Sequence, residues 1–260
     1  MTDAHPSLTY SSYLALDDIL GAQHPRSEEH DELLFIVIHQ VYELWFKQLL
    51  HETGHLQARL EAGDTAQSIR TLRRMLTILK VVVSQIDVLE TMAPNHFTNF
   101  RARLAASSGF QSSQFRELEA VLGRRDPRVA AHYPEGSPAR ARLAAAMARP
   151  SVFDSFLAYL SARGYAVPTD RDVSTPPEGS AAVQAELLRV YQADAEEATV
   201  AEHLVDLDEG IQEWRYRHVK MVERTIGDKQ GTGGSPGAKY LRSTLFQPLF
   251  PDLWSVRGDL

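Results

Sequence analysis

The stretch from residue 30 to residue 52, HDELLFIVIHQVYELWFKQLLHE, restricts the fold more than any other part of the chain. It begins with a nearly continuous apolar run from Leu33 to Ile38 and continues with aromatic and apolar residues at helical spacing. A helix that is apolar on all sides belongs in the middle of a bundle. A buried strand over LLFIVI is the alternative, but the length of the segment and its later spacing favour a helix.

The helical period recurs through most of the chain, and no strand-like alternation occurs at the scale of a domain. Pro, Gly, Ser and Asp mark the stretch 164–180 as a loop. We therefore predict an all-α, single-domain helical bundle over residues 1–260. Besides the segment above, the predicted helices lie at 65–92, within 107–123, on either side of Pro150 within 137–163, near 181–191 and near 195–226.

The amino-acid composition restricts the classes of function that the protein can have. The formal net charge of −7 predicts no general affinity for nucleic acid or for an anionic membrane. The first residues have no targeting pattern, and no apolar run approaches the length of a membrane span, so we expect a soluble cytoplasmic protein. The chain contains no cysteine, which excludes disulfides and thiolate ligands. A bound metal or haem would need histidine, carboxylate, methionine or tyrosine ligands, and ten histidines are present.

One histidine lies on the apolar stripe of the last long helix. His218 follows Leu207, Ile211 and Trp214 at steps of three or four residues. A core histidine bonded to a backbone carbonyl is one interpretation. The flanking arginines at 215 and 217 and the glycine-rich loop GTGGSPG suit a site for an anionic ligand instead. The loop matches no phosphate-binding motif, so a flexible linker remains its alternative.

Two other pairs of residues are candidate binding residues. His39 shares a helix face with Phe35, and a histidine on so apolar a helix needs a partner, which core packing or a ligand could supply. Arg101 follows Phe97 by four residues, so a helix there would place both on one face. Arginine suits a planar carboxylate because it offers two parallel donors, although a surface arginine is the alternative.

A second motif points to different chemistry. HETGH, from His51 to His55, fits the H-E-x-x-H pattern in which two histidines share a zinc ion and Glu52 acts as the base. The extended form of that motif would need Gly at 58 and His at 61, where Ala and Glu stand. Gly54 also weakens the helix that must fix the geometry. A zinc hydrolase is therefore kept only as a remote alternative.

Taken together, these segments resemble the tryptophan 2,3-dioxygenase family, whose members use haem to open the indole ring of L-tryptophan. The resemblance runs from about Leu8 to Leu260. It is carried by six segments in the family's order: LTYSSYLALDDIL, DELLFIVIHQVYELWFKQLLHE, SSGFQSSQFRELE, LVDLDEGIQEWRYRHVKMVERTIG, GTGGSPGAKYLRSTL and LFPDLWSVR.

The resemblance implies a role for each candidate. His218 matches the ligand of the haem iron, with Ser108 and Gly109 on the opposite side of the haem. His39 matches a catalytic histidine that meets the indole N–H, and the residues matching the family's substrate contacts are Phe35, His39, Phe97, Arg101, Thr232, Tyr10, Tyr13 and Leu14. The last three would reach a neighbouring subunit's pocket from an N-terminal arm of about residues 1–16.

The resemblance also implies the reaction and the assembly. Haem b, ferrous in the active form, and O2 as co-substrate would convert L-tryptophan to N-formyl-L-kynurenine in a homotetramer, a dimer of dimers. The loop around Asp228 and Pro236 departs from the usual family sequence. That departure motivates the alternative of a modified tryptophan, such as β-methyltryptophan, as substrate, with insertion of one oxygen atom instead of two. A non-catalytic helical scaffold is a further alternative.

Overall fold

A computed structural model of the chain describes residues 7–105, 107, 109–232 and 237–260. No β-strand occurs in these ranges, so the predicted all-α class is confirmed there. The α-helices are α1 Tyr10–Leu14, α2 Leu16–Leu20, α3 His30–Glu61, α4 Thr65–Leu89, α5 Pro94–Arg101, α6 Ser113–Leu122, α7 Pro127–Ala130, α8 Pro138–Met147, α9 Val152–Ala162, α10 Ala181–Ala193, α11 Glu196–Ile226, α12 Ala238–Arg242 and α13 Pro251–Ser255.

The long helices α3, α4 and α11 form the centre of the bundle. Helix α4 packs against both α3 and α11, and α3 also contacts α6 and α9. The apolar stripes meet in one core, whose fully buried members include Leu49, Leu56, Leu72, Met75, Ile86, Phe156 and Leu204. Gly210 lets α11 approach α4 closely, because a Cβ there would lie 3.1 Å from Leu79 Cδ1. This centre holds α3 and α11 on either side of the cavity described below.

Capping residues set several helix boundaries as the sequence predicts. Ser112 accepts a hydrogen bond from Phe115 N and begins α6, and Gly123, at φ 122°, follows its last residue. Ser151 forms a capping box with Asp154 at the start of α9, directly after Pro150. Helix α3 continues through Gly54 to Glu61, because its buried side chains outweigh the low helix propensity of one glycine.

A buried aspartate fixes the C-terminal segment over α11. The carboxylate of Asp208 accepts hydrogen bonds from Leu249 N at 2.8 Å, from Phe250 N at 3.1 Å and from Trp254 Nε1 at 2.9 Å. Asp208 is fully buried, so these charge-assisted bonds replace its lost hydration. These three hydrogen bonds anchor the residues that follow α12, and α12 forms part of the cavity wall.

Within the described ranges, α3 is the one helix whose length and composition would allow it to cross a membrane. Helices α4, α6 and α9 pack against it, although only 22% of its most apolar window is buried in the single chain. Tyr42 donates a hydrogen bond to the Val82 carbonyl oxygen at 3.1 Å, and Gln114 donates to the Glu43 carboxylate at 2.8 Å. Part of α3 remains uncovered, and Leu33 and Leu44 are about half exposed in the single chain.

Candidate active site

A cavity lies between α3, the end of α4, α5, the second half of α11 and α12. Its empty volume, counted to its open mouth, is about 1190 Å³. Most of the wall is apolar, with Leu89, Met92 and Phe115 among the lining side chains. Seven of the residues predicted for the site lie together around it: Phe35, His39, Phe97, Arg101, Gly109, His218 and Thr232.

Aromatic rings form the wall contributed by α3 and α5. The ring of Phe35 lies 4.2 Å from His39, 5.6 Å from Phe97 and 5.7 Å from Phe100, measured between centroids. Phe97 and Phe100 meet edge to face at 5.4 Å. These spacings are typical of stabilising aromatic pairs. The helix α5, which the sequence left conditional, therefore places Phe97 and Arg101 on the cavity side, as its spacing predicts.

His39 presents one ring nitrogen to the cavity. Its Nδ1 lies 2.7 Å from the Phe35 carbonyl oxygen, which can only accept, so Nδ1 carries the proton. Burial lowers the pKa of His39, although the Phe35 carbonyl and Glu43 oppose that effect. The ring is therefore neutral near pH 7, and Nε2 is a hydrogen-bond acceptor. One turn of α3 thus fixes both the orientation and the tautomer of this side chain.

His218 lies on α11 and lines the same cavity. Its ring stacks on Trp214 at 5.0 Å with an interplanar angle of 8°. Burial, together with the nearby His39 and Arg116, lowers the pKa of His218 to about 4. Among the described residues the His218 ring forms no hydrogen bond, so the interpretation as a carbonyl-bonded core histidine is not supported. A neutral imidazole with an unoccupied nitrogen is the form that binds a metal.

Two polar anchors close the other side of the cavity. Arg101 Nη2 donates a hydrogen bond to the Gln230 carbonyl oxygen, and Thr232 Oγ1 donates to the Ser107 carbonyl oxygen. Both bonds join segments more than 120 residues apart in sequence, and both acceptors lie on loops. The glycine-rich loop is therefore joined to α5 and to the segment before α6, which argues against a free linker.

A buried cluster of ion pairs lies behind the cavity, and no pattern in the sequence predicts it. The Glu119 carboxylate pairs with Arg116 at 2.7 Å, Arg215 at 2.9 Å and Arg124 at 3.3 Å. Burial alone would raise the pKa of Glu119, but the three guanidinium groups hold it below its usual value. Arg116, Glu119 and Arg215 line the cavity. By contrast, Arg217 points away and pairs with Asp87 at 2.6 Å.

The remaining predicted site residues lie elsewhere in the single chain. Tyr10, Tyr13 and Leu14 on α1 do not line the cavity, and the two tyrosines are about three-quarters exposed. They were predicted to act in a neighbouring subunit, so their exposure leaves that prediction open. Ser108 and Pro236 lie outside the described residues. Gly109 begins a short 3₁₀ helix and lines the cavity.

The HETGH motif does not form a metal site. His51 and His55 are exposed on α3, whereas Glu52 is buried and accepts hydrogen bonds from Gln48 at 2.7 Å and Arg74 at 3.0 Å. The carboxylate needed as a base is thus turned inward, away from the histidine face. No group of three or more potential metal ligands occurs in the described part of the chain. The zinc hydrolase alternative is therefore not supported.

The mostly apolar lining and the imidazole of His218 suit a large apolar group that carries its own metal. His218 offers a single imidazole, which suits an iron already held by a macrocycle. The buried Trp214 Nε1 has no hydrogen-bond partner among the residues described, so a polar group is missing from this region. Arg116 and Arg215 place positive charge in the wall, where carboxylate substituents of haem would find partners. The residues present are thus compatible with haem.

Comparisons with known proteins agree with this arrangement. A family model described as tryptophan 2,3-dioxygenase matches residues 1–136 and 149–260. A protein named tryptophan 2,3-dioxygenase from Anaeromyxobacter sp. (strain K) is 66% identical, with all of both chains covered. Relatives of the same name from Anaeromyxobacter dehalogenans and Herpetosiphon aurantiacus are 65% and 55% identical, and the alignments cover at least 98% of each chain.

Proposed function

The chain belongs to the tryptophan 2,3-dioxygenase family, and on that premise we propose that its cavity opens the indole ring of L-tryptophan. The indole C2–C3 bond is broken by O2, and both oxygen atoms enter the product, N-formyl-L-kynurenine. One observation carries this proposal: His39 and His218 face a single cavity from different helices, where burial lowers the pKa of both rings. Neither a modified tryptophan nor a scaffold role is favoured by any observation.

His218 holds the iron of haem b in this proposal. When bound, the ferrous haem supplies the binding and activation of O2. The low pKa of His218 keeps its ring unprotonated, so a lone pair is available without prior loss of a proton. Trp214 stacks on the ring and limits its rotation. Gly109 contributes to the cavity wall, and Arg116 and Arg215 would supply charge for the carboxylates of the cofactor.

The wall formed by α3 and α5 orients the indole. His39 Nε2 accepts a hydrogen bond from the indole N–H, because Nδ1 is committed to the Phe35 carbonyl oxygen. Phe35 and Phe97 pack against the ring and exclude water from it. A neutral histidine positions the indole without placing a second positive charge in the cavity. Holding the reacting bond in one orientation is the protein's main contribution to the rate.

The polar side of the cavity binds the amino-acid end of the substrate. Arg101 takes the carboxylate in a two-bond pair, which replaces its present bond to the Gln230 carbonyl oxygen. Thr232 turns its hydroxyl from Ser107 to the ammonium and carboxylate groups. Each anchor exchanges a backbone oxygen for a substrate group, and the released carbonyl oxygens of Gln230 and Ser107 lie at exposed positions where water can replace the bond.

The exposed apolar residues support assembly of the chain into a homotetramer. Leu33, Val37 and Leu44 on α3, and Val81 and Val88 on α4, are 38–53% exposed in the single chain. Tyr10, Tyr13 and Leu14 on α1 would cover a neighbouring subunit's cavity. Light scattering coupled to size exclusion should give a mass of four chains, and a monomer would contradict the assembly. A cytoplasmic location is part of the same proposal.

Oxygen uptake tests the proposed function. The haem-loaded protein should consume one O2 for each L-tryptophan added and should be inactive without tryptophan. His39→Ala should keep haem and lower the rate, because only the indole contact is removed. A protein that binds haem fully yet consumes no O2 with L-tryptophan would overturn the proposal.

A further inference from the structure

A second concave site lies behind the wall of the cavity. We call it the basic cleft, and its floor is built from the turn after α6, where Gly123 packs closely on Pro177. Its empty volume is about 1160 Å³. Arg215 and Tyr240 line both the cavity and the basic cleft, so they form the partition between them. The proposed reaction makes no use of this cleft.

Positive charge dominates the basic cleft, although the whole chain carries a net charge of −7. Its lining includes the guanidinium groups of Arg124, Arg125, Arg128 and Arg215, and its one carboxylate is Asp126. Asp126 is committed to Arg128, with N–O distances of 2.9 Å and 3.0 Å. Arg124 therefore depends for its counter-charge on a carboxylate outside the cleft.

That carboxylate belongs to Glu119, which pairs with three arginines at once. Its oxygens pair with Arg116, Arg215 and Arg124, so four side chains carry three positive charges and one negative charge. Arg116 and Arg215 are at most 8% exposed, and Arg124 is the outermost of the three. Buried charge is stable only when it is compensated. The Arg116 side of the cluster faces the cavity, where the carboxylates of haem are proposed to bind, whereas the Arg124 side faces the basic cleft.

A buried donor in the same cleft has no acceptor. Arg125 is 5% exposed, and its terminal nitrogens donate to the carbonyl oxygens of Ala146 and Arg149 beyond the end of α8. Its Nε is buried and has no partner in the described ranges. Buried donors of this kind are rare in folded proteins. Burial and the neighbouring Arg171 lower the pKa of Arg125, although Asp154 opposes that effect.

We propose that the basic cleft binds a small oxyanion with two negative charges, with Arg124, Arg125 and Arg128 as its ligands. A phosphate group and a short dicarboxylate share this chemistry, because each presents paired oxygens to guanidinium forks. The anion supplies a counter-charge for Arg124, whose pair with Glu119 is the longest of the three, and for the guanidinium of Arg125, which has no carboxylate partner in the cleft. A neutral or cationic ligand would satisfy neither requirement.

Calorimetric titration of the haem-loaded protein tests this proposal. Inorganic phosphate and succinate are added separately in a low-salt amine buffer, because high salt screens surface charges. We expect saturable binding of one anion per chain, and the tighter of the two anions identifies the chemical class. Arg124→Gln should weaken binding at least tenfold, and Arg128→Gln should weaken it less, because Asp126 already neutralises that side chain.

Arg189→Gln is the matched control. Arg189 is also an arginine in a surface ion pair, with Glu186 at 2.8 Å, but it lies on α10 and does not line the cleft. Its replacement should leave the dissociation constant unchanged. Haem content and circular dichroism confirm that each variant is folded, and Arg128→Gln, at an exposed position, keeps the test available if Arg124→Gln does not fold. Absence of saturable binding, or equal binding by wild type and both cleft variants, would overturn the proposal.

Discussion

The two sides of the cavity are built in different ways. The helical side carries His39 and His218 on helices of 32 and 31 residues whose apolar faces are buried in the core. The loop side carries Gln230, Thr232 and Ser107, and two hydrogen bonds join it across the cavity mouth. The side chains that must be in place before any ligand arrives thus lie on the rigid side. Arg101 on α5 and Thr232 on the loop are the two groups proposed to exchange these bonds for bonds to the substrate.

This contrast explains why the anchors are polar and the helical wall is mostly apolar. A side chain on α3 or α11 is held by packing along its whole helix. It therefore loses no further conformational entropy when a ligand binds. Loop residues such as Thr232 lack that support, so their hydrogen bonds decide where they lie. Loss of a helical-side group should therefore remove a function, whereas loss of a loop-side group should weaken it.

The largest expected effect follows from His218→Ala. Haem content should fall below about a tenth of the wild-type stoichiometry, because the iron loses its one protein ligand. The fold should persist, since the ring forms no hydrogen bond within the described chain. Thr232→Ala, on the loop side, should retain haem. Absorbance and iron analysis measure both, and full haem binding by His218→Ala would contradict the assignment.

Arg101→Ala should raise the KM for L-tryptophan about 100-fold and leave haem content unchanged. A charge-assisted pair contributes about 1.5–3 kcal/mol, and about 1.4 kcal/mol corresponds to a factor of ten. Arg103→Ala is the control, because Arg103 donates to the Arg26 carbonyl oxygen and does not line the cavity. Steady-state kinetics separates the two. Loss of haem from Arg101→Ala would place this side chain with the cofactor instead.

Acid should destabilise the haem-free protein through the helical side. The pKa of His218 is about 4 in the folded chain and about 6.5 in the unfolded chain. The unfolded state therefore takes up a proton first, and stability present above pH 6.5 is lost as the pH falls towards 4. His218 alone should account for roughly 3 kcal/mol of that loss. Urea unfolding of wild type and His218→Gln at pH 7 and pH 4 measures it; equal losses in both would refute this cause.

Gly237→Ala should disturb only the loop side. A Cβ at this position would lie 2.5 Å from the Lys229 carbonyl oxygen, at a φ of +63°, so the base of the loop must separate. The KM should rise about tenfold, corresponding to about 1.4 kcal/mol of lost binding. Gly227 also has a positive φ, but a Cβ there would meet nothing within 4 Å. Gly227→Ala therefore measures the effect of backbone strain without the collision. Equal effects of both substitutions would show that the collision is unimportant.

The same contrast separates what the sequence could predict from what it could not. Helical period alone located α3, α4, α9 and α11 and placed His39 and His218 on buried faces. The resemblance added Arg101 and Thr232, whose roles remain predictions. Neither route could find the bonds from Arg101 to Gln230 or from Thr232 to Ser107, because loops without a repeating pattern determine them.

Ion pairs between residues that are far apart in sequence could not be predicted either. RELE, around Glu119, is a short polar pattern on α6, and nothing in it indicates pairing with Arg215, which lies 96 residues later. The short helices α7, α12 and α13 were not predicted, because four or five residues show too little periodicity. The single domain over residues 1–260 and the arm over about residues 1–16 stay predictions.

Product mass after turnover under ¹⁸O-labelled O2 tests the central claim most directly. The haem-loaded protein is given L-tryptophan, and the oxygen content of the product is counted by mass spectrometry. Two labelled oxygen atoms in N-formyl-L-kynurenine are the predicted result, since the proposed site would hold the indole bond for reaction with O2 and exclude water. A product with one labelled atom, the second coming from water, would contradict the account.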